Sequence, residues 1–192
     1  MNYDDIILSS KKTAITRKSP SRPTRLLVEK CLLERGKKIL DYGCGKGTDV
    51  EYLNKLGFDV YGYDINYFPD KSVLKDSYYD YVICNYVLNV VPLEVRYEIL
   101  SIIYDALKDG GKAFISVRDI SEGEINGYRY EDGVITSKGT FQKLFTPEEL
   151  EDLVSIYFRR TEIISKRQPL IVMGQKIKFR EKIIGIFRWN YG

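Results

Sequence analysis

The sequence predicts an α/β protein, a mostly parallel sheet with helices on both faces. Three observations carry this. Short apolar runs of strand length alternate with stretches of helical period from residue 38 to residue 157. A glycine-rich turn, Gly43-Cys44-Gly45-Lys46-Gly47, joins the first such run to the first such helix. The next run ends at Asp64, completing a strand–turn–helix–strand unit closed by an acid.

In chain order, residues 1–20 are polar and irregular. Ser21-Arg22-Pro23 opens a helix, because Ser can cap and Pro is tolerated in the first turn. Leu26, Leu27, Cys31 and Leu32 share its face and Gly36 is the expected stop. Lys38 to Tyr42 reads as a buried strand, Thr48 to Leu56 as a helix stopped by Gly57, and Phe58 to Tyr63 as the second strand. Tyr79 to Cys84 is a third strand. A helix follows Pro92, with Val95, Ile99, Ile102, Ile103 and Ala106 at helical spacing and Asp109-Gly110-Gly111 as its expected terminator. Ala113 to Val117 is the next strand, and 119–145 is expected to be a long loop. Thr146-Pro147-Glu148-Glu149 carries the signature of a capped helix start. An antiparallel hairpin is expected at the end, Thr161–Ser165 followed by Gln175–Arg180. One domain is expected over 1–192, with an arm and helix at 1–36 and the sheet core at 37–192.

Composition removes several chemistries. The 192 residues contain no His, which excludes Ser-His-Asp and Cys-His nucleophile systems and any His base or metal ligand. Three widely spaced cysteines, Cys31, Cys44 and Cys84, form neither a disulfide framework nor a zinc motif, so no metal is expected. No apolar run approaches about 18 residues, so no membrane span is expected. The start, MNYDDIILSSKK, lacks the order of a secretory signal, and a cytoplasmic protein is expected. Charge is uneven: net +4 over 1–30, net −8 over 31–158 and net +7 over 159–192. Basic ends around an acidic body suit a phosphate-rich partner such as nucleic acid, or a solvated surface.

The chemistry is expected at the C-terminal ends of the strands, where such sheets bind ligands. Gly43 and Gly45 let backbone approach a ligand, and the following helix N-terminus offers amide donors and partial positive charge. Asp64 can accept hydrogen bonds from both hydroxyls of a ribose, and Asp41 can meet an ammonium. A dinucleotide site requires G-x-G-x-x-G, but position 48 is Thr48 and the glycines run 43, 45, 47. S-adenosylmethionine has both an ammonium and a ribose and fits best. A nucleotide cofactor and a purely structural turn are the alternatives.

The stretches ILDYGCGKG, VYGYDIN, YDYVICNYVLNVVP and LKDGGKAFISV resemble the class I S-adenosylmethionine-dependent methyltransferases over roughly 38–117. Lys12-Thr13-Ala14-Ile15-x-Arg17, Asn85 to Val90, Asp132-Gly133, Thr136 and Thr140-Phe141-Gln142-Lys143 are similar to the DNA phosphorothioation-associated methyltransferases over about 12–150. The resemblance implies a three-layer Rossmann-like methyltransferase sheet with S-adenosyl-L-methionine as cofactor. It places the cofactor on Asp41, Tyr42, Gly43, Cys44, Gly45, Gly47, Asp64, Ile65 and Asn85, with Lys12 and Arg17 folded over the site to pair with its carboxylate; the alternatives are that Asn85 satisfies turn backbone and that Lys12 and Arg17 are solvated on a mobile arm. It assigns no catalytic residue. Only fifteen residues separate Asp64 from Asp80, too few for the usual helix and edge strand, so that region is expected to be reduced or missing and Asp76 becomes a candidate for the adenine. Cys44 is expected to pack, Asp119 to be a loop acid or a proton acceptor, and Gln142 and Lys143 to line a substrate entrance or a packed loop.

The expected function is methyl transfer to an unidentified acceptor, nucleic-acid-linked or small. The alternative is a cofactor-binding adaptor without turnover, docking through the basic end at 159–189. A Pro pair after Asn85 and a Pro before any Cys are both absent, which argues against the base-amine and cytosine-C5 methylation motifs.

Overall fold

The computed structural model describes residues 9–177. Its first helix, α1 (Arg22–Glu29), is capped by the Ser21 side chain, which accepts from the Thr24 amide. Then follow β1 (Lys38–Tyr42), α2 (Thr48–Lys55), β2 (Asp59–Tyr63), β3 (Tyr79–Asn85), α3 (Leu93–Ala106) and β4 (Leu107–Val117). A small group β5 (Gly127–Tyr130), β6 (Gly133–Thr136) and β7 (Phe141–Gln142) precedes α4 (Pro147–Ser155), β8 (Arg160–Lys166) and β9 (Leu170–Gln175).

The main sheet has six strands in the order β2-β1-β3-β4-β9-β8. The first four run parallel; β9 returns antiparallel to β4, and β8 pairs with β9 as the terminal hairpin. Central strands are buried on both sides, as a parallel sheet between two helical layers requires. Leu40, Val82 and Cys84 face a core shared with Val95, Ile99 and Ile103 of α3 and with Leu150 and Val154 of α4. Ile39, Tyr81 and Ile83 face the opposite core with Leu27 of α1 and Leu53 of α2. The expected three-layer α/β architecture is therefore present.

The shortened region is also present. Between β2 and β3 only the single 3-10 turn Lys71–Val73 intervenes, and β2 is the edge of the sheet. The tyrosine run at 78–81 packs: Tyr79 and Tyr81 are buried, and Tyr78 meets Tyr61 and Tyr79 edge-on.

Four local expectations are corrected. Helix α1 ends at Glu29, seven residues before Gly36, because Cys31 takes φ +53° and turns the chain. Helix α3 ends at Ala106 and β4 begins at once; Asp109-Gly110-Gly111 is an irregularity inside that strand, where Gly110 donates to the Lys176 carbonyl. The stretch 119–145 is not a plain loop, since 127–142 folds into a three-stranded antiparallel sheet. Its strands are short and polar outside, with Ile135 and Phe141 alone forming its buried core, so the apolar alternation is weak. The second hairpin strand is Leu170–Gln175, where four apolar residues are buried, and not Gln175–Arg180, part of which lies outside the described residues together with the basic end from 178 on.

Candidate functional site

The parallel strands deliver the glycine loop, Asp64 and Asn85 to one edge of the sheet, around a cavity of about 400 Å³. Gly43 (φ +76°) and Gly45 (φ +55°) hold backbone conformations that side chains disfavour. The Gly43 and Cys44 amides donate to the Tyr63 carbonyl at 2.7 and 3.0 Å, which pins the loop to the end of β2. A Cβ at Gly43 would collide with Val87, whereas one at Gly45 would meet nothing within 4 Å. A side chain is thus blocked at Gly43 by Val87, while Gly45 has open space beside it.

Asp64 occupies the tip of β2. One carboxylate oxygen accepts the Gly45 amide at 3.0 Å; the other accepts the amides of Asn66 and Tyr67 at 2.9 and 3.0 Å. Beneath the loop, Asp41 is only 2 % exposed, and its Oδ2 has no hydrogen-bond partner among the described residues. Burial holds its carboxyl well above the usual range, the nearby Asp49 charge adds to this, and Arg17 opposes it. Cys44 lies in the loop with its thiol pushed up by burial, so it packs as a neutral group.

The chain before α1 crosses the mouth as a strap. Thr13, Ala14, Ile15 and Arg17 line the cavity. The Lys46 ammonium donates to Thr16 at 2.5 Å, and the Arg17 guanidinium stands 5.7 Å from the centre of the Tyr86 ring. The strap is fastened by Asp49, buried in the first turn of α2. Its carboxylate accepts from the Ser21 amide and hydroxyl, both at 2.6 Å, and from the Thr24 hydroxyl at 2.8 Å. Asn85 joins this network: its amide donates to Thr24 at 2.9 Å and to Asp49 at 3.3 Å, while its carbonyl accepts from Ser116 at 2.8 Å.

Much of the remaining lining is apolar: Tyr42, Tyr63, Val91, Val95, Ile99 and Ile102. Helix α3 also anchors the small sheet. Arg96, 1 % exposed, lies between the Phe141 and Phe145 rings and binds both carboxylate oxygens of Asp132 at 2.5 and 3.1 Å.

A model of a methyltransferase domain matches residues 15–156. The chain belongs to that family. No curated protein matches it. Among solved structures it is similar to the Burkholderia thailandensis 1,6-didemethyltoxoflavin-N1-methyltransferase, seen with 1,6-didemethyltoxoflavin and S-adenosylhomocysteine: TM-score 0.62, 18 % identity, covering 82 % of this chain and 78 % of that one. It is similar to PH0226 from Pyrococcus horikoshii OT3, with TM-score 0.61 and 23 % identity over 80 % of this chain and 88 % of that one. It is also similar to a SAM-dependent methyltransferase from Archaeoglobus fulgidus, with TM-score 0.57 and 17 % identity over 80 % and 92 %. These likenesses are of fold.

In this methyltransferase domain, Tyr42, Gly43, Cys44, Gly45, Asp64, Ile65, Asn85 and Arg17 line the cavity. Gly47 (φ +79°) caps α2 behind it. Asp41 lies under the loop, outside the lining, and Lys12 is exposed, also outside it. Asp76 is exposed and away from the cavity. Asp119 is buried and structural: it caps a 3-10 turn through Ser121 and accepts the Gln168 amide at 2.7 Å. Although burial works against its charge, these bonds hold its carboxyl below the usual range. Gln142 ends the small sheet and Lys143 follows it; they are bonded to Arg118 and Glu149 respectively and line a separate pocket.

Sequence reasoning missed Asp49, Arg96 and the apolar wall on α3. An acid in a first helical turn reads as a dipole partner, and an Arg within a helix reads as exposed. Only the spacing of Val91, Val95, Ile99 and Ile102 carried a signal, and it reads as core.

Proposed function

We propose that this domain transfers a methyl group from S-adenosylmethionine to an acceptor presented at the strap side of the cavity. The observation that carries the reading is the open face of Gly45. In a loop where Val87 blocks a side chain at Gly43, Gly45 leaves free space near the N-terminus of α2, flanked by Asp64. The residues present fit the cofactor. The unpartnered Asp41 Oδ2 supplies a buried carboxyl, held neutral by burial in the free protein, that an incoming ammonium would charge and pair with, directly or through water. Asp64, a carboxylate with further lone pairs, suits the ribose hydroxyls. Arg17 at the mouth suits the carboxylate. When bound, the cofactor supplies an activated methyl; the protein binds, orients and excludes water.

The absence of His is compatible with an acceptor that is already nucleophilic. A nucleic-acid-linked acceptor, as in the phosphorothioation-associated family the sequence resembles, is supported by charge around the strap. Lys11, Lys12, Lys18, Arg22 and Arg25 are exposed there, and none forms an ion pair among the described residues.

The test is formation of S-adenosylhomocysteine with candidate acceptors, DNA and small thiols first. Turnover that depends on one of them supports the reading. Tight cofactor binding with no turnover on any nucleic acid or thiol would replace it with the adaptor reading.

A further inference from the structure

We infer that Glu98 recognises the adenine of the donor by accepting a hydrogen bond from its exocyclic amine. The inference rests on the donor reading above and adds a residue to it.

On that reading Asp64 would hold the ribose at the tip of β2, where it already bonds the Gly45 amide, and Asp41 with its unpartnered oxygen and the glycine loop would hold the methionine beside it. The base must then lie against the remaining lining of the cavity, much of which is apolar. Val91, Val95, Ile99 and Ile102 fall at helical spacing and give the faces of a planar ring something to pack on. Within that stripe stands one acid. Glu98 lies three residues after Val95 and four before Ile102, so it shares their face, and it lines the same cavity. It is close enough to Tyr42 that its charge adds to the upward shift which burial imposes on that hydroxyl.

Glu98 has no structural employment. No ion pair or hydrogen bond holds it among the described residues, although Lys71 lines the same cavity. A carboxylate only accepts, and the adenine amine only donates. With β2 at the edge of the sheet, no outer strand can present an acid to the base, and Asp76 on the intervening segment is exposed and outside the cavity. Helix α3 supplies the group instead.

The experiment compares calorimetric binding of S-adenosylhomocysteine and S-inosylhomocysteine, in which the amine is a carbonyl. The native protein should bind the adenosine compound at least about tenfold more tightly, the range expected for a charge-assisted hydrogen bond. In Glu98→Ala the gap should fall below about threefold, chiefly through weaker binding of the adenosine compound. In Glu98→Gln it should also narrow, because an amide can donate to the inosine carbonyl. Thermal unfolding of ligand-free Glu98→Ala should match native, since the side chain is exposed and unbonded. Equal binding of the two compounds by native protein, or an unchanged gap in Glu98→Ala, overturns the inference. No binding of either compound to native protein overturns the donor reading itself.

Discussion

The Asp64 carboxylate accepts the Gly45 amide at 3.0 Å, so the acid at the tip of β2 braces the glycine loop across from it. The two halves of the candidate site are therefore one mechanical unit. A change at Asp64 acts on a ligand's sugar and on the shape of the loop together.

Replacement of Asp64 separates these roles. Asp64→Ala should weaken S-adenosylhomocysteine binding by about 1.5–3 kcal/mol, the worth of hydrogen bonds to a charged group. Asp64→Asn keeps a carbonyl for the Gly45 amide and should lose less. An unchanged dissociation constant in Asp64→Ala, measured by calorimetry, would place the ribose elsewhere.

Gly45→Val should fold and fail to bind. Its Cβ meets no protein atom, so the cost in the free protein is the left-handed backbone, about 1–2 kcal/mol. The branched side chain fills the space kept for the ligand. Thermal unfolding together with calorimetry checks both halves; native affinity in this variant would show that the loop does not face the cofactor.

Asp49 should control the strap. Asp49→Ala leaves the Ser21 amide, the Ser21 and Thr24 hydroxyls and part of Asn85 without their acceptor, at a cost of about 2–4 kcal/mol. Trypsin should then cut faster at Lys11, Lys12, Arg17 and Lys18 than in the native protein. Equal cleavage rates and equal stability would remove the fastening role.

Asp41 makes stability depend on pH in the unusual direction. Its folded carboxyl is raised above the unfolded value of about 3.9, so the folded state holds the proton more tightly. Its contribution is greatest below that value and is lost as pH rises towards the folded value. Asp41→Asn should therefore unfold at higher temperature than native at pH 7, with the advantage shrinking towards pH 4, while binding cofactor less well. A variant no more stable than native at pH 7 contradicts this.

The framework was legible because each element of the sheet carried its own local signal. Strand β1, the glycine turn, α2 and the acid ending β2 are contiguous in sequence, and the fifteen-residue gap after Asp64 announced the reduced edge. The small sheet was not legible. Gly127–Tyr130 and Gly133–Thr136 are short and mostly uncovered, and what holds them is Arg96, more than thirty residues away. Asp49 was equally hidden: its partners Ser21 and Thr24 precede it by 28 and 25 residues, and no local pattern marks a buried acceptor of that kind. Asn85 lines the cavity, yet its side chain is spent on Ser116, Thr24 and Asp49, which only the packing of α1 against the sheet edge could reveal.

The central claim is that a sulfonium donor lies against the glycine loop with its sugar on Asp64. Titration calorimetry with S-adenosylhomocysteine tests it most directly. The account predicts saturable one-to-one binding that weakens in Asp64→Ala and vanishes in Gly45→Val. Folded native protein that gives no heat with S-adenosylhomocysteine or S-adenosylmethionine at millimolar concentration would contradict it.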